Sequence, residues 1–202
     1  MAKTNARNVA ILIFDDVEVL DFCGPFEVFS VTGRRSDTQP FNVFTVAERR
    51  DPVLARNQLS VNAAHALSDC PRPDVLVVPG GFGTRKLMYN EPVIDWIAKA
   101  AGEAEIVLSV CTGALLLGKA KLLDGLAATT HHGALDLLRE VAPTADVRGD
   151  QRIVDNGRFV ISAGISAGID AALHVVSRLL GEDTAAETAA YMEYDWRTVR
   201  EV

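Results

Sequence analysis

Ile106-Val-Leu-Ser-Val-Cys111-Thr-Gly-Ala-Leu-Leu-Leu-Gly118 joins an apolar run to a helical one through a cysteine. Residues 106–110 lack the polar alternation of a half-exposed strand and so read as a strand covered on both faces. A helical pattern starts directly after Cys111, with Gly113 two residues on. This is the layout of a nucleophile elbow with Cys in place of Ser: a tight strand-to-helix turn holds the side chain above the sheet, and small neighbours let the backbone close on itself. A thiol at a helix N-terminus also meets the positive end of the helix dipole, which favours thiolate. The competing reading, a small buried apolar residue, is the commonest fate of a free cysteine. The placement between a strand and a Gly-containing helix start argues for the nucleophile.

The same strand pattern recurs at residues 9–14, 41–46, 75–78 and 159–161. Helical spacing fills the gaps at 93–101, opened by Asn90 as N-cap with Pro92 in the first turn, and at 114–120, 135–141 and 169–180, the last closed by Gly181. Strands alternating with helices predict right-handed βαβ units. With no linker, repeat or low-complexity stretch, the chain reads as a single α/β domain over 1–202, a three-layer sandwich with helices on both faces of a mostly parallel sheet. Ligands in such sheets sit beyond the carboxyl ends of the strands. That draws attention to residues 15–25, 79–84 and 111–113.

Pro79-Gly80-Gly81-Phe82-Gly83-Thr84 follows one of these strands. Such a loop can bind phosphate, offer backbone N–H groups to an oxyanion, or simply turn. No Gly-Lys-Ser/Thr is present to complete a phosphate-binding loop. Beside an elbow, Gly80 and Gly81 become candidates for substrate binding, with the Gly81 and Thr112 N–H groups as the oxyanion donors. Asp21, between Leu20 and Phe22 and ahead of Gly24-Pro25, is awkward for a solvated face. A helix N-terminal carboxylate is the plainer alternative. Partial burial over the sheet would raise its pKa and keep it able to donate a proton.

The four histidines have no zinc spacing, and the reading includes no metal and no cofactor. His131 and His132 are adjacent and would diverge on a helix; either is a candidate partner for Cys111. Cys23 and Cys70 read as packing residues. A formal net charge of -7 and no Lys/Arg block argue against a nucleic-acid partner. Mean hydropathy of +0.14 excludes a disordered chain. Lys3 and Arg7 precede an apolar run of only six residues ended by Asp15 and Asp16, too short for a secretory signal, and no stretch approaches a membrane span. Three scattered cysteines fit a reducing compartment. A cytoplasmic protein acting on a small molecule is expected.

Together Leu-Asp21-Phe-Cys-Gly-Pro, Val-Pro79-Gly-Gly-Phe-Gly, Ser-Val-Cys111-Thr-Gly-Ala, Ala128-Thr-Thr-His131 and Ser162-Ala-Gly-Ile-Ser-Ala-Gly168-Ile-Asp170 resemble the DJ-1/PfpI superfamily over nearly the whole chain. The Cys-Thr-Gly elbow with Leu-Asp-x-x-Gly-Pro is most similar to its isonitrile hydratase branch, although Cys23 stands where Thr or Ala is expected there. The ending Glu193-Tyr-Asp-Trp196-Arg-Thr-Val-Arg also departs from that branch, lacking a proline-rich tail. The resemblance implies a flavodoxin-like fold similar to class I glutamine amidotransferases, and a homodimer. It also implies Cys111 as nucleophile, Asp21 as acid/base, and Thr112 acting through its hydroxyl or amide. The implied reaction adds water to an isonitrile through a Cys-thioimidate, giving an N-substituted formamide. Glyoxalase or deglycase chemistry on small aldehydes is the alternative activity. A non-enzymatic ligand- or oxidation-sensing role is the third reading. A regulator of the AraC type would need a helix-turn-helix region beyond the domain, and the chain ends at Val202, so DNA binding is not expected.

Overall fold

The computed structural model describes residues 6–196. The remaining residues of the single domain expected over 1–202, including the end of the divergent tail from Glu193, lie outside the described residues. Seven strands form the main sheet: β1 (Arg7–Leu12), β2 (Phe41–Ala47), β3 (His65–Ala66), β4 (Val75–Val78), β5 (Ile106–Ser109), β6 (Ile153–Asp155) and β7 (Phe159–Ser162). They lie in the order β6-β7-β5-β4-β1-β2-β3. All neighbours are parallel except β6 on β7. The inner strands β1, β4 and β5 are Val/Ile/Leu-rich, and β4 and β5 are buried at every position. Such double-sided burial requires helices on both faces.

Those helices are α1 (Val19–Val31), α2 (Glu91–Glu103), α3 (Gly113–Lys119), α4 (Leu135–Val141), α5 (Ala167–Leu180) and α6 (Glu182–Tyr191). α1, α5 and α6 pack together on one face, while α2, α3 and α4 form the other layer. The fold is a flavodoxin-like α/β sandwich. Asn90 caps α2, its side chain accepting the Val93 N–H at 3.4 Å, with Pro92 in the first turn. Gly181, at φ 98, ends α5 and starts α6.

Residues 19–31 form a continuous helix with Pro25 inside it, so Asp21 stands in a helical first turn, as the plainer alternative had it, and is buried there. The edge strands β3 and β6 and the helix α6 went unpredicted. Among the described residues no helix is long and apolar enough to cross a membrane.

Candidate active site

Three connections meet above the carboxyl ends of β1, β4 and β5. Cys111 sits in the turn between β5 and α3 at φ 55, a left-handed conformation that a non-glycine residue holds at a cost of about 1–2 kcal/mol. Its position is overdetermined. The Cys111 N–H donates to Ala163 O at 3.0 Å, and its carbonyl accepts from Thr130 Oγ1 at 2.8 Å. At Gly113 a Cβ would lie 2.0 Å from the Val78 carbonyl oxygen, so only glycine lets α3 begin this close to β4.

Asp21 reaches the site from the first turn of α1 and is fully buried. Its Oδ2 accepts the Gly80 N–H at 3.0 Å, while the Gly80 carbonyl accepts the Glu18 N–H at 3.0 Å. Gly80 thus clamps the start of α1 from both sides. A Cβ there would stand 2.4 Å from the Thr112 nitrogen and 2.9 Å from Asp21 Oδ2. The other carboxyl oxygen, Oδ1, is buried without a hydrogen-bond partner. Desolvation pushes the Asp21 pKa up to about 7, against the opposing pull of the Gly80 N–H and the Cys111 side chain; Glu18 raises it further.

Cys111 retains 5% of its surface. Burial first, and then the charge of Asp21, push its thiol up to about 12, although the backbone N–H groups of Ile165 and Thr112 bear on the sulfur and pull the other way. The helix-dipole expectation of a resting thiolate therefore does not hold, because burial outweighs both amides. The resting pair is a thiol beside a carboxyl group poised to titrate near neutrality. The two side chains interact, yet Oδ1 has no completed hydrogen bond.

Thr112 ties the elbow to the glycine loop. Its hydroxyl accepts the Gly81 N–H at 2.9 Å and lies 3.0 Å from the Gly81 carbonyl as a donor. The buried Thr84 hydroxyl donates to the same carbonyl at 2.9 Å. The Gly81 amide, expected as an oxyanion donor, is thereby engaged by Thr112 Oγ1. The amides bearing on the sulfur belong to Thr112 and Ile165. Ile165, Thr84 and Thr130 were not singled out from sequence.

His131 and His132 do not diverge on a helix: their rings stack with centroids 4.2 Å apart. Burial, His132 and Arg85 lower the His131 pKa, favouring the neutral imidazole. Its Nδ1 accepts the Gly133 N–H at 3.1 Å, which leaves the ring proton on Nε2. Neither histidine is among the groups that set the Cys111 pKa. Cys23 and Cys70 are partly buried free thiols, both raised by burial. Among the described residues no three His, Cys, Asp or Glu side chains are grouped to hold a metal ion. A cleft of about 1180 Å³ lies along the glycine loop, lined by Asp15, Phe82, Gly83, Arg85 and Tyr89 among others; neither Cys111 nor Asp21 lines it.

Residues 7–178 match the DJ-1/PfpI family. The chain is 38% identical over 191 residues to an isonitrile hydratase of Pseudomonas putida, covering 94% of this chain and 79% of that one. It is 29% identical over 179 residues to the HTH-type transcriptional regulator CdhR of Pseudomonas aeruginosa, covering 88% of this chain but 52% of the regulator. The crystal structure of a ThiJ/PfpI family protein from Pseudomonas syringae superposes with a TM-score of 0.85 at 28% identity, covering 96% of this chain and 77% of that one. Drosophila melanogaster DJ-1beta shares the fold, with a TM-score of 0.80 at 18% identity over 95% of this chain and all of that one. With its elbow cysteine, glycine loop and α1 carboxylate in place, the chain belongs to the DJ-1/PfpI family.

Proposed function

We propose that the protein is a cofactor-independent hydro-lyase that hydrates isonitriles to N-substituted formamides. The observation that carries this reading is the Asp21–Cys111 pair, a buried thiol against a carboxyl group whose pKa is near 7. With Asp21 ionised, the pair holds one transferable proton. An isonitrile carbon needs a proton and a nucleophile on the same atom, and a carboxyl beside a thiol supplies both.

Asp21 takes the thiol proton and delivers it to the isonitrile carbon as the sulfur attacks. A C–H and a C–S bond form, the C–N triple bond becomes double, and a thioimidate is left on Cys111 beside an ionised Asp21. Asp21 then takes a proton from water and passes it to the nitrogen as the water oxygen adds to carbon. Collapse of the tetrahedral carbon breaks the C–S bond, and the second water proton returns through Asp21 to the sulfur. The amides of Thr112 and Ile165 stabilise the sulfur anion at attack and at release. The narrow exposure of Cys111 suits a slender terminal carbon. The similarity to the Pseudomonas putida isonitrile hydratase supports the same assignment. Family resemblance extends the proposal to a homodimer, and the free cysteines suit a reducing cytoplasm.

The test is formamide release from a panel of alkyl and aryl isonitriles. Turnover abolished in Cys111→Ala is expected. A protein that hydrates none of them, or whose Cys111→Ala variant hydrates them equally well, contradicts the proposal; turnover of methylglyoxal alone would move the assignment to aldehyde chemistry.

A further inference from the structure

The cleft along the glycine loop plays no part in the chemistry read above, since neither Cys111 nor Asp21 lines it. It opens beyond the carboxyl ends of the adjacent strands β1 and β2, where parallel α/β sheets bind ligands. Leu12, Ile13, Phe14, Ala47, Val53 and Val93, all buried, supply its apolar base. The glycine loop serves both places. Gly80 and Gly81 bond to Asp21 and Thr112, whereas Phe82 and Gly83 line the cleft.

The two walls of the cleft differ in chemistry. The stretch from Phe82 to Asn90, which includes the short helix Thr84–Leu87, carries Arg85 and Lys86 and no acid. It also presents Phe82 and Tyr89, at 60% and 69% the most exposed large apolar side chains among the described residues. Two such rings bordering one cleft are surface that a planar ligand can bury. The acids lie opposite, and most are engaged. Asp15 accepts the Leu54 N–H at 2.9 Å, Asp16 pairs with Arg56 at 3.0 Å, and Glu48 accepts the Asn90 side-chain amide at 2.9 Å. Among the described residues neither Arg85 nor Lys86 is paired with a carboxylate.

Phe82 is exposed but its backbone is fixed on both sides. The Gly81 N–H donates to Thr112 Oγ1 at 2.9 Å, and the Gly83 N–H donates to the Asp16 carbonyl at 3.2 Å. The Arg85 guanidinium lies over the Phe82 ring, 5.1 Å from its centroid. Stacking uses the face of a guanidinium and leaves its in-plane N–H groups for an acceptor. A ring and a cationic fork are thus preorganised side by side on one wall.

We propose that this cleft is a second ligand site, distinct from Cys111, that takes a planar aromatic carboxylate. The ring packs on the Phe82–Tyr89 wall over the apolar base, and the carboxylate meets Arg85 and Lys86. The inference does not rest on the hydratase reading.

The test is equilibrium dialysis of the protein with three probes that share one ring system: naphthoate, neutral naphthamide and cationic naphthylmethylamine. Saturable binding of one naphthoate per chain is expected, with the amide and the amine each weaker by about ten- to a hundredfold for want of the charge-assisted contact. Arg85→Gln and Lys86→Gln should each weaken naphthoate and leave naphthamide unchanged, while Phe82→Ala should weaken both probes. Arg139→Gln, which removes an equal charge from α4 outside the cleft, should leave naphthoate binding as in wild type. Cys111→Ala should do the same. The proposal is overturned if naphthoate does not bind saturably, if the amide or the amine binds as well or better, or if binding survives both Arg85→Gln and Lys86→Gln. Loss of binding in Cys111→Ala also overturns it, since the probe would then occupy the reaction site. No probe is an isonitrile, so failure here is distinguishable from failure of the hydratase assignment.

Discussion

Asp21 gives one carboxyl oxygen to the Gly80 amide at 3.0 Å and keeps the other buried without a hydrogen-bond partner, while its side chain interacts with the Cys111 thiol. Burying an acid this way is unfavourable for folding and useful for chemistry. The carboxyl that destabilises the domain when ionised is the one that can exchange a proton with the sulfur at neutral pH.

The stability consequence has a definite sign. The Asp21 pKa rises from 3.8 to about 7 on folding. Below the lower value both states are protonated and nothing is lost. As pH rises from about 4 to 7 the unfolded chain ionises first, and the folded state loses stability on the order of 4 kcal/mol. Asp21→Asn removes this titration while its amide oxygen can still accept from Gly80. Urea unfolding should find the variant more stable than wild type above neutrality, with the difference vanishing toward pH 4. A variant less stable at every pH would contradict the burial argument.

The same titration predicts the activity profile. With one transferable proton on the pair, kcat/KM for an isonitrile should climb through about pH 7 as Asp21 ionises and then stay level until the thiol, raised to about 12, begins to titrate. Asp21→Asn should lower kcat/KM by about 100- to 10,000-fold. Any residual rate should lack the limb near neutrality.

Cys111 holds a left-handed backbone that glycine adopts freely. Both Cys111→Gly and Cys111→Ala should be inactive, but thermal or denaturant unfolding should place the glycine variant above the alanine one by about 1 kcal/mol. The reverse order would mean that the elbow is not strained.

Thr112→Val keeps the amide and removes the hydroxyl, leaving the buried Gly81 N–H without its acceptor. A loss of about 1–3 kcal/mol in unfolding free energy is expected, together with reduced kcat, since the glycine loop that clamps Asp21 loses its tie to the elbow. Thr112→Ser, which restores the hydroxyl, should recover most of both.

Much of this arrangement was legible in the sequence, and what was hidden has physical reasons. The apolar runs at β1, β2, β4, β5 and β7 stand out because strands buried on both faces carry few polar residues to blur them. The two-residue β3 has too little length for a pattern, and β6 is a three-residue edge strand. α1 was masked by Pro25, a helix breaker that here lies on the buried side of a half-exposed helix. Cys111, Asp21 and Thr112 could be picked out because side chains have letters. The amide of Ile165 could not, since the direction of a backbone donor is set by φ, here 49, and not by the residue's identity. The direction of the Gly81 amide likewise depends on a hydroxyl that lies 31 residues away in sequence.

The most direct test of the covalent route is intact-mass spectrometry of acid-quenched wild-type protein during turnover of an alkyl isonitrile. The account predicts a transient species heavier by the full mass of the isonitrile, mapped by peptide digestion to Cys111 and absent in Cys111→Ala. Steady formamide production with no adduct at Cys111, or with the adduct on Cys23 or Cys70, would contradict it.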